Sequence, residues 1–138
     1  MRRVLIAAGL AAVLSTGAAW AHHSFAMFQM ERSVTFNGTV KELQWTNPHT
    51  WLQVMVEQPD GKVIEWGFEG QNLAAMRQFG WTRTTVKPGD KVTIVGSPAR
   101  SGATLASLKT ITLPDGRTLA GILNVGRAGP PPAETFTI

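Results

Sequence analysis

Short runs in which apolar and polar residues alternate, each closed by Pro, Gly or Asp, constrain the fold of this chain most strongly. From Thr50 to Glu57, the apolar residues Leu52, Val54 and Val56 share one parity, as in a strand with one buried face. Four similar runs cover residues 34–45, 62–68, 91–95 and 104–113, and turn-forming Pro-Asp-Gly triplets stand at 59–61 and 114–116. The chain is therefore predicted to be mostly β.

The first of these runs changes its parity part-way along. Val34, Phe36 and Val40 share one face, whereas Leu43 and Trp45 share the other. A switch inside one strand indicates a β-bulge, which we place near residues 41–42.

One segment has helical spacing instead. Leu73, Met76 and Phe79 recur at i, i+3 and i+6 within a helix predicted over 71–79, and Gly80 closes it. With this helix between the third and fourth strands, the predicted order is β-β-β-α-β-β, with a short return strand near 117–120. That is the order of an OB-fold, a five-stranded Greek-key barrel. An open five-stranded sandwich is the alternative.

The start of the chain has the layout of a secretory signal. Arg2 and Arg3 precede an apolar run of 11 residues, 4–14, and small residues then lead to Ala21. Because so short a run cannot span a bilayer, we expect cleavage and no stable membrane insertion. Cleavage after Ala21 is predicted, with a cut after Ala19 as the alternative, and the product is expected to be periplasmic or secreted.

Composition excludes several classes of function. Removal of the first 21 of 138 residues leaves 117, with eleven Lys and Arg against nine Asp and Glu, because Arg2 and Arg3 are lost. No run of basic residues occurs in that part, which argues against a nucleic-acid partner. Cysteine is absent, so disulfides and thiolate metal sites are excluded.

Four regions follow from these patterns. A cleaved signal peptide covers 1–21 and an N-terminal arm with a histidine pair covers 22–33. The OB-like barrel covers 34–120. A Gly- and Pro-rich tail, predicted to be flexible, covers 121–138.

Two of the three histidines directly follow the predicted cleavage site. A mature chain that starts at His22 has a free α-amino group beside an imidazole, and the two together can chelate a metal in the arrangement called a histidine brace. Deprotonating an amine with a reference pKa of about 7.7–8.0 costs only about 1–1.5 kcal/mol at neutral pH. His22 and His23 are therefore candidate metal ligands, although a histidine pair at a terminus can also be merely solvated.

The third histidine, His49, follows Asn47-Pro48 and shares the parity of Trp51 rather than that of the buried Leu52. It is expected to project outward from the loop that joins strands one and two, which borders the usual OB-fold ligand surface. A role in capping the turn is the alternative. Three imidazoles and an amine favour copper(II), with zinc second, so His22, His23 and His49 are the predicted metal site.

A metal-independent binding module is the alternative function. Its predicted ligand face, for a peptide, a glycan or a periplasmic partner protein, consists of Trp45, Asn47, Trp51 and Arg100. A catalytic role has less support, because Glu65 and Glu69 stand about 13 Å apart along one strand. That separation exceeds the usual glycosidase distance, so no catalytic residue is assigned.

Several motifs resemble those of a family of small exported bacterial proteins of unknown function. Mature chains of that family open with His-His-Ser-Phe, here residues 22–25, and continue through Gly-Thr-Val at 38–40 into Trp-Thr-Asn-Pro-His at 45–49. The later segments KPGDKVTIVG and TLPDGR fit the same pattern. The resemblance implies an extracytoplasmic location and a small β-barrel, and it implies no settled activity.

Overall fold

The computed structural model describes residues 26–123, so the predicted signal peptide, the His22–His23 pair and residues 124–138 lie outside the described part. Six strands and one helix follow one another along the chain: β1 (Val34–Gln44), β2 (Trp51–Glu57), β3 (Val63–Glu69), α1 (Leu73–Gln78), β4 (Lys91–Pro98), β5 (Leu105–Thr112) and β6 (Thr118–Ala120). No helix within 26–123 is both long and apolar enough to cross a membrane.

The sheet closes into a barrel. Its strand order is β3-β2-β1-β4-β5-β6, and an additional parallel pairing joins β3 to β5 through Gly67 and Leu105, Phe68 and Ala106, and Glu69 and Ser107. Five strands therefore form a closed ring, with α1 between β3 and β4 and with β6 as a short addition to β5. The OB-fold prediction is confirmed, and the open sandwich is wrong because the β3–β5 pairing leaves no gap between two sheets.

The predicted bulge in β1 is also confirmed. The register between β1 and β2 shifts between Val40 and Glu42. On one side of the shift Val40 points into the core, whereas beyond it Trp45 does so. The extra residue lets one long strand coil around the barrel and pair with both β2 and β4.

Alternate side chains of the strands form the core. Leu52, Val54 and Phe68 are fully buried, and the Phe36 ring centroid lies 4.7 Å from that of Trp66. Ile64 shares the parity of Trp66 and Phe68, which predicts an inward side chain, but it is 37% exposed. The reason is that β5 pairs with β3 only at Gly67–Glu69, so the first half of β3 has a neighbouring strand on one side only.

The helix is shorter than the predicted 71–79. Asn72 is the N-cap, and its side-chain oxygen accepts a hydrogen bond from the backbone N–H of Ala75 at 3.0 Å. Phe79 is the C-cap, and Gly80 follows it with φ of +92°, a conformation that glycine adopts without strain. Met76 carries the buried face of the helix.

Strand β4 continues through residues 96–98, which were predicted to form a loop. Ser97 pairs with Ser107 and Pro98 with Ala106, after a register shift at Val95–Gly96. An irregularity of this kind is the usual place for Gly and Pro within a strand.

Packing also continues past the predicted domain boundary at residue 120. The Gly121 N–H donates to the Lys109 carbonyl at 2.9 Å, its carbonyl accepts from the Gln71 N–H at 3.0 Å, and Ile122 is buried. At the other end, Phe28 is 2% exposed and forms an isolated bridge with Ala99. The described part of the N-terminal arm is therefore packed against the barrel.

Candidate functional site

His49 and Glu69 form a pair at the mouth of the β1–β2 loop. The Nδ1 atom of His49 lies 2.9 Å from Oε1 of Glu69, and the His49 side chain is 34% exposed whereas the Glu69 side chain is 7% exposed. Glu69 occupies the last position of β3, opposite Trp51 of β2. A carboxylate oxygen can only accept, so a hydrogen bond at this distance requires the proton on Nδ1 and leaves Nε2 as the ring nitrogen that could face a ligand.

Hydrogen bonds within the loop fix the backbone that carries His49. The Thr46 hydroxyl donates to the His49 carbonyl at 3.1 Å, and the Thr50 N–H donates to the Gln71 carbonyl at 3.0 Å. Asn47 Oδ1 accepts from the Leu73 N–H at 2.9 Å, which ties the loop to the start of α1. The Asn47–Pro48 peptide between them is cis. His49 therefore stands on a firmly held turn.

The structure changes the interpretation of two predicted ligand-face residues, Asn47 and Trp45. Asn47 uses its side-chain oxygen to hold α1, which is a structural role. Trp45 is 8% exposed and belongs to the core cluster, and the Arg77 guanidinium carbon lies 5.9 Å from the centroid of its ring. Trp45 therefore offers no open stacking surface, because the parity switch at the bulge turns it inward.

Trp51 and Arg100 lie on different parts of the surface. Trp51 is half-buried on the outer face of β2, directly beside Glu69. The guanidinium of Arg100 donates to Glu31 at 3.2 Å, and its backbone N–H donates to the Met27 carbonyl at 2.9 Å. Of these two residues, Trp51 is the one that lies beside the His49–Glu69 pair.

The arm docks along the end of β4, and we refer to residues 28–33 as the docked arm. The Gln29 N–H donates to the Pro98 carbonyl at 2.9 Å, and the Ser97 hydroxyl donates to the Arg32 carbonyl at 2.6 Å. The Lys109 ammonium, from β5, donates to the carbonyls of Met30 and Arg32 at 3.0 Å each and to the Ser33 hydroxyl at 2.9 Å. Burial lowers the pKa of Lys109 below its ordinary value, and the charge of Glu31 partly offsets that effect.

The described residues do not complete a metal site by themselves. Within 26–123, no three His, Asp or Glu side chains are grouped closely enough to hold a metal ion. His22 and His23 lie outside the described residues. The described structure therefore contributes one imidazole together with the carboxylate that orients it.

Sequence reasoning missed Glu69 as the partner of His49, although a signal was present. The β2–β3 hairpin pairs Glu57 with Val63, and that register places Trp51 opposite Glu69. His49, two residues before Trp51, then becomes a diagonal neighbour of Glu69. Diagonal neighbours on one face of a sheet lie within reach of long side chains.

Fold and site together define a small OB-fold protein with a loop histidine oriented by a buried carboxylate. The chain belongs to the family of unknown function DUF6152, whose model matches residues 10–108. No curated protein matches the chain.

Among solved structures, the chain is similar to Rim1, a mitochondrial single-stranded DNA binding protein of S. cerevisiae. The two share 19% sequence identity with a TM-score of 0.44, over 59% of this chain and 91% of Rim1.

Proposed function

We propose that this chain is an exported protein that binds copper and carries, delivers or sequesters it. The copper ligands are the α-amino group and imidazole of His22, with His23 and His49. The His49–Glu69 pair is the observation that carries the proposal, since its Nδ1–Oε1 distance is 2.9 Å. Histidines that bind metals usually donate their other ring N–H to a carboxylate or carbonyl.

The burial of Glu69 strengthens this reasoning. A buried carboxylate is costly unless it is hydrogen-bonded, and here it holds a ring that is itself one-third exposed. The contact fixes the orientation of the ring and leaves Nε2 as the nitrogen available to a metal ion. An imidazole prepared in this way needs little reorganisation to accept a metal ion.

The length of chain between His22 and the docked arm is compatible with joint binding of a metal by His22 and His49. Phe28 pairs with Ala99, Ala99 is hydrogen-bonded to Leu105, and Leu105 pairs with Gly67. These are three strand spacings, so Phe28 and Gly67 are about 14 Å apart. Glu69 lies two residues, about 7 Å, further along β3. The six residues that separate His22 from Phe28 can span about 20 Å. His22 can therefore approach His49 while the arm stays docked.

The donor set favours copper(II). Imidazole and amine nitrogens bind divalent first-row metals in an affinity order that peaks at copper, with zinc below it. Binding of this kind needs no catalytic residue. Delivery, in contrast to sequestration, would require a partner protein in the same extracytoplasmic compartment.

Metal titration of two matched proteins tests the proposal. One begins at His22 and the other has a single glycine ahead of it, and both are titrated with copper(II) against a competing chelator. We expect the extended protein to bind at least tenfold more weakly, because its His22 nitrogen is an amide. Equal affinity of the two proteins would show that the amine is not a ligand. N-terminal sequencing of the exported protein checks that the natural product begins at His22.

A second candidate is metal-independent binding on the outer face of β2 and β3. Trp51 favours it, because the other tryptophans within 26–123 are buried whereas Trp51 is partly accessible. A binding partner retained equally by metal-free protein and by His49→Ala, but lost on Trp51→Ala, would support this candidate over copper binding.

A further inference from the structure

The first half of β3 has a free edge, formed by residues 63–65. Strand β2 pairs with the whole of β3, whereas β5 pairs only with its last three residues, from Gly67 onward. Within the described part of the chain, β2 is therefore the one strand beside Val63, Ile64 and Glu65. All three residues are exposed, Val63 at 56% and Ile64 at 37%. An exposed edge with β-branched side chains is a template to which another strand can add.

The hydrogen bonds between β2 and β3 fix which backbone groups face this edge. In an antiparallel pair, alternate residues direct both their N–H and their C=O to one neighbour, and the residues between them direct theirs to the other side. At the hairpin, the Gln58 N–H donates to the Lys62 carbonyl at 2.7 Å. At the other end, the Gly70 N–H donates to the Thr50 carbonyl at 2.8 Å. Both bonds show that the even-numbered residues of β3 are bonded to β2.

The odd-numbered residues of β3 face away from β2. The Gly67 N–H shows this directly, because it donates to the Thr104 carbonyl at 3.1 Å, on the side where β5 begins. Val63 and Glu65 have the same direction as Gly67 but lie before β5 begins. They therefore present their N–H and C=O groups at the free edge, one on each side of Ile64.

We propose that a second copy of this chain adds its own β3 to the free edge, antiparallel and around a two-fold axis at Ile64. In this register Val63 of each copy lies opposite Glu65 of the other, and the backbone groups of these residues form four hydrogen bonds. The two Ile64 side chains lie opposite each other and cover each other. A two-fold contact uses the same surface on both copies, and the symmetric placement of donors and acceptors about Ile64 meets that requirement. The inference does not depend on copper binding.

The charges near this edge are compatible with a second copy. The Lys41 ammonium lies 2.6 Å from Oε2 of Glu65, so this carboxylate approaches the second copy as half of an ion pair. The Lys62 ammonium likewise lies 3.4 Å from Oδ2 of Asp60. Like charges directly opposite each other destabilise a strand pair, but in this register each Glu65 lies opposite the uncharged Val63. Pairing therefore brings no like charges face to face.

The free edge is short, so the dimer is expected to be weak. The hairpin turn limits the edge on one side, and the start of the β3–β5 pairing limits it on the other. The ladder takes three residues from each copy, whereas a stable interface takes roughly 20–30 residues a side. Association should therefore be reversible and should require a high protein concentration.

Single cysteines test the register, because the natural chain contains none. Opposite residues of a non-hydrogen-bonded antiparallel pair have Cα atoms about 4.5 Å apart, a distance that a disulfide can bridge. We expect Ile64→Cys to form a linked dimer when diamide takes up the two electrons and two protons of the two thiols. Both this reaction and its control contain a chelator, so that a bound metal ion cannot link two copies.

Val63→Cys is the matched control. Residue 63 is more exposed than residue 64, but its two copies are diagonal neighbours about 7–8 Å apart in the proposed register. A disulfide cannot bridge that distance without backbone movement, so we expect Val63→Cys to form dimers at least about tenfold more slowly. Equal rates for the two variants would overturn the two-fold pairing and leave the edge to an extended segment of a different protein.

A proline at position 63 tests the hydrogen bonds themselves. The Val63 N–H faces the free edge, so Val63→Pro removes a donor from the dimer and none from the β2–β3 ladder. Val63→Thr keeps both the N–H and a β-branched side chain and is the control. Sedimentation equilibrium up to about 1 mM protein should show reversible dimers for wild type and Val63→Thr, and monomers for Val63→Pro.

Two results of that measurement would overturn the inference. One is a wild type that stays monomeric over the whole range, and the other is a Val63→Pro variant that associates as strongly as wild type. If Val63→Pro does not fold, Ile64→Lys replaces it and should be monomeric, because it sets two ammonium groups opposite each other at the axis. Association of Ile64→Lys equal to that of wild type would likewise overturn the pairing.

Discussion

The Nδ1 atom of His49 lies 2.9 Å from Oε1 of Glu69, although the two residues are 20 positions apart in the sequence, with β2 and most of β3 between them. The carboxylate is almost inaccessible, whereas a third of the ring is open to solvent. A buried acceptor beneath a partly exposed ring leaves one nitrogen held and the other presented outward. The predictions for Glu69 and Trp51 depend on this asymmetry, and those for Ser97 and Lys109 depend on the contacts of the docked arm.

Replacing Glu69 by glutamine should weaken copper binding by about 10- to 100-fold, the usual cost of losing a partner that orients a metal ligand. The amide keeps the shape of the side chain but removes the negative charge that lies beside Nδ1 of His49. Glu65→Gln is the control, because Glu65 lies on the same outer face of β3 and pairs with Lys41 at 2.6 Å. Competition titration of both variants checks the prediction. Equal affinities of the two variants would contradict it.

Copper(II) should quench the fluorescence of Trp51. This ring is half-buried beside Glu69, whereas the other tryptophans within 26–123 lie in the core. We expect the quenching that saturates with copper to disappear largely in Trp51→Phe. Zinc is the control metal, because it can occupy the same nitrogen ligands without quenching efficiently. Saturable quenching that persists unchanged in Trp51→Phe would place the metal away from His49.

Replacement by alanine should change the free energy of unfolding differently at Ser97 and at Ser107. Ser97 and Ser107 are both buried and stand opposite each other in the β4–β5 register. Ser97 donates to the Arg32 carbonyl at 2.6 Å, whereas the Ser107 hydroxyl has no hydrogen-bond partner among the described residues. Ser97→Ala should lower the free energy of unfolding by about 1 kcal/mol, and Ser107→Ala should leave it unchanged or raise it. Urea denaturation of both variants measures the difference, and a larger cost for Ser107→Ala would refute the assignment.

Lys109 should make the stability of the protein depend on alkaline pH. Burial lowers its pKa in the folded state below the 10.5 of the unfolded chain, and the charge of Glu31 opposes this only in part. The unfolded state therefore binds more protons between the two pKa values, so the contribution of Lys109 to stability rises with pH through that window. Read in the other direction, the contribution of Lys109 to stability is lost as the pH decreases through its folded-state pKa. The free energy of unfolding of wild type minus that of Lys109→Met should be constant near pH 7 and increase toward pH 10.5.

The difference between the two proteins is the quantity to measure, because other groups also titrate at alkaline pH. Lys91→Met is the control for removal of a lysine from the outer surface, because the Lys91 ammonium donates to the Thr39 hydroxyl at 2.8 Å and not to the docked arm. A constant difference for Lys109→Met would show that burial does not perturb the lysine.

Local patterns predicted much of the fold. The parity of Leu52, Val54 and Val56 identified the inner face of β2, and the parity switch in β1 located the bulge between Val40 and Glu42. Both succeed because alternation depends only on residues two positions apart. The same alternation predicted that His49 projects outward from the β1–β2 loop, and its side chain is 34% exposed in the structure.

The prediction was weaker where burial depends on distant partners. Ile64 has the parity of Trp66 but is exposed, because β5 does not extend alongside it. Trp45 is buried in the core and so presents no open ring to the predicted ligand face, and the side-chain oxygen of Asn47 accepts from the Leu73 N–H of α1. No pattern within a few residues of these positions reports which strand or helix will pack on them.

The sequence by itself determined the strands, their turns, the short helix and the outward direction of His49, because each depends on side chains only two to four positions apart. Tertiary structure decided which groups meet. The parallel β3–β5 pairing sets Ser107 beside Glu69, the β2–β3 register brings Glu69 to His49, and barrel closure lets Lys109 reach an arm more than 70 residues away. Such contacts arise only when the chain closes on itself, because the free energy that holds them comes from burial and hydrogen bonding between segments that are distant in the sequence.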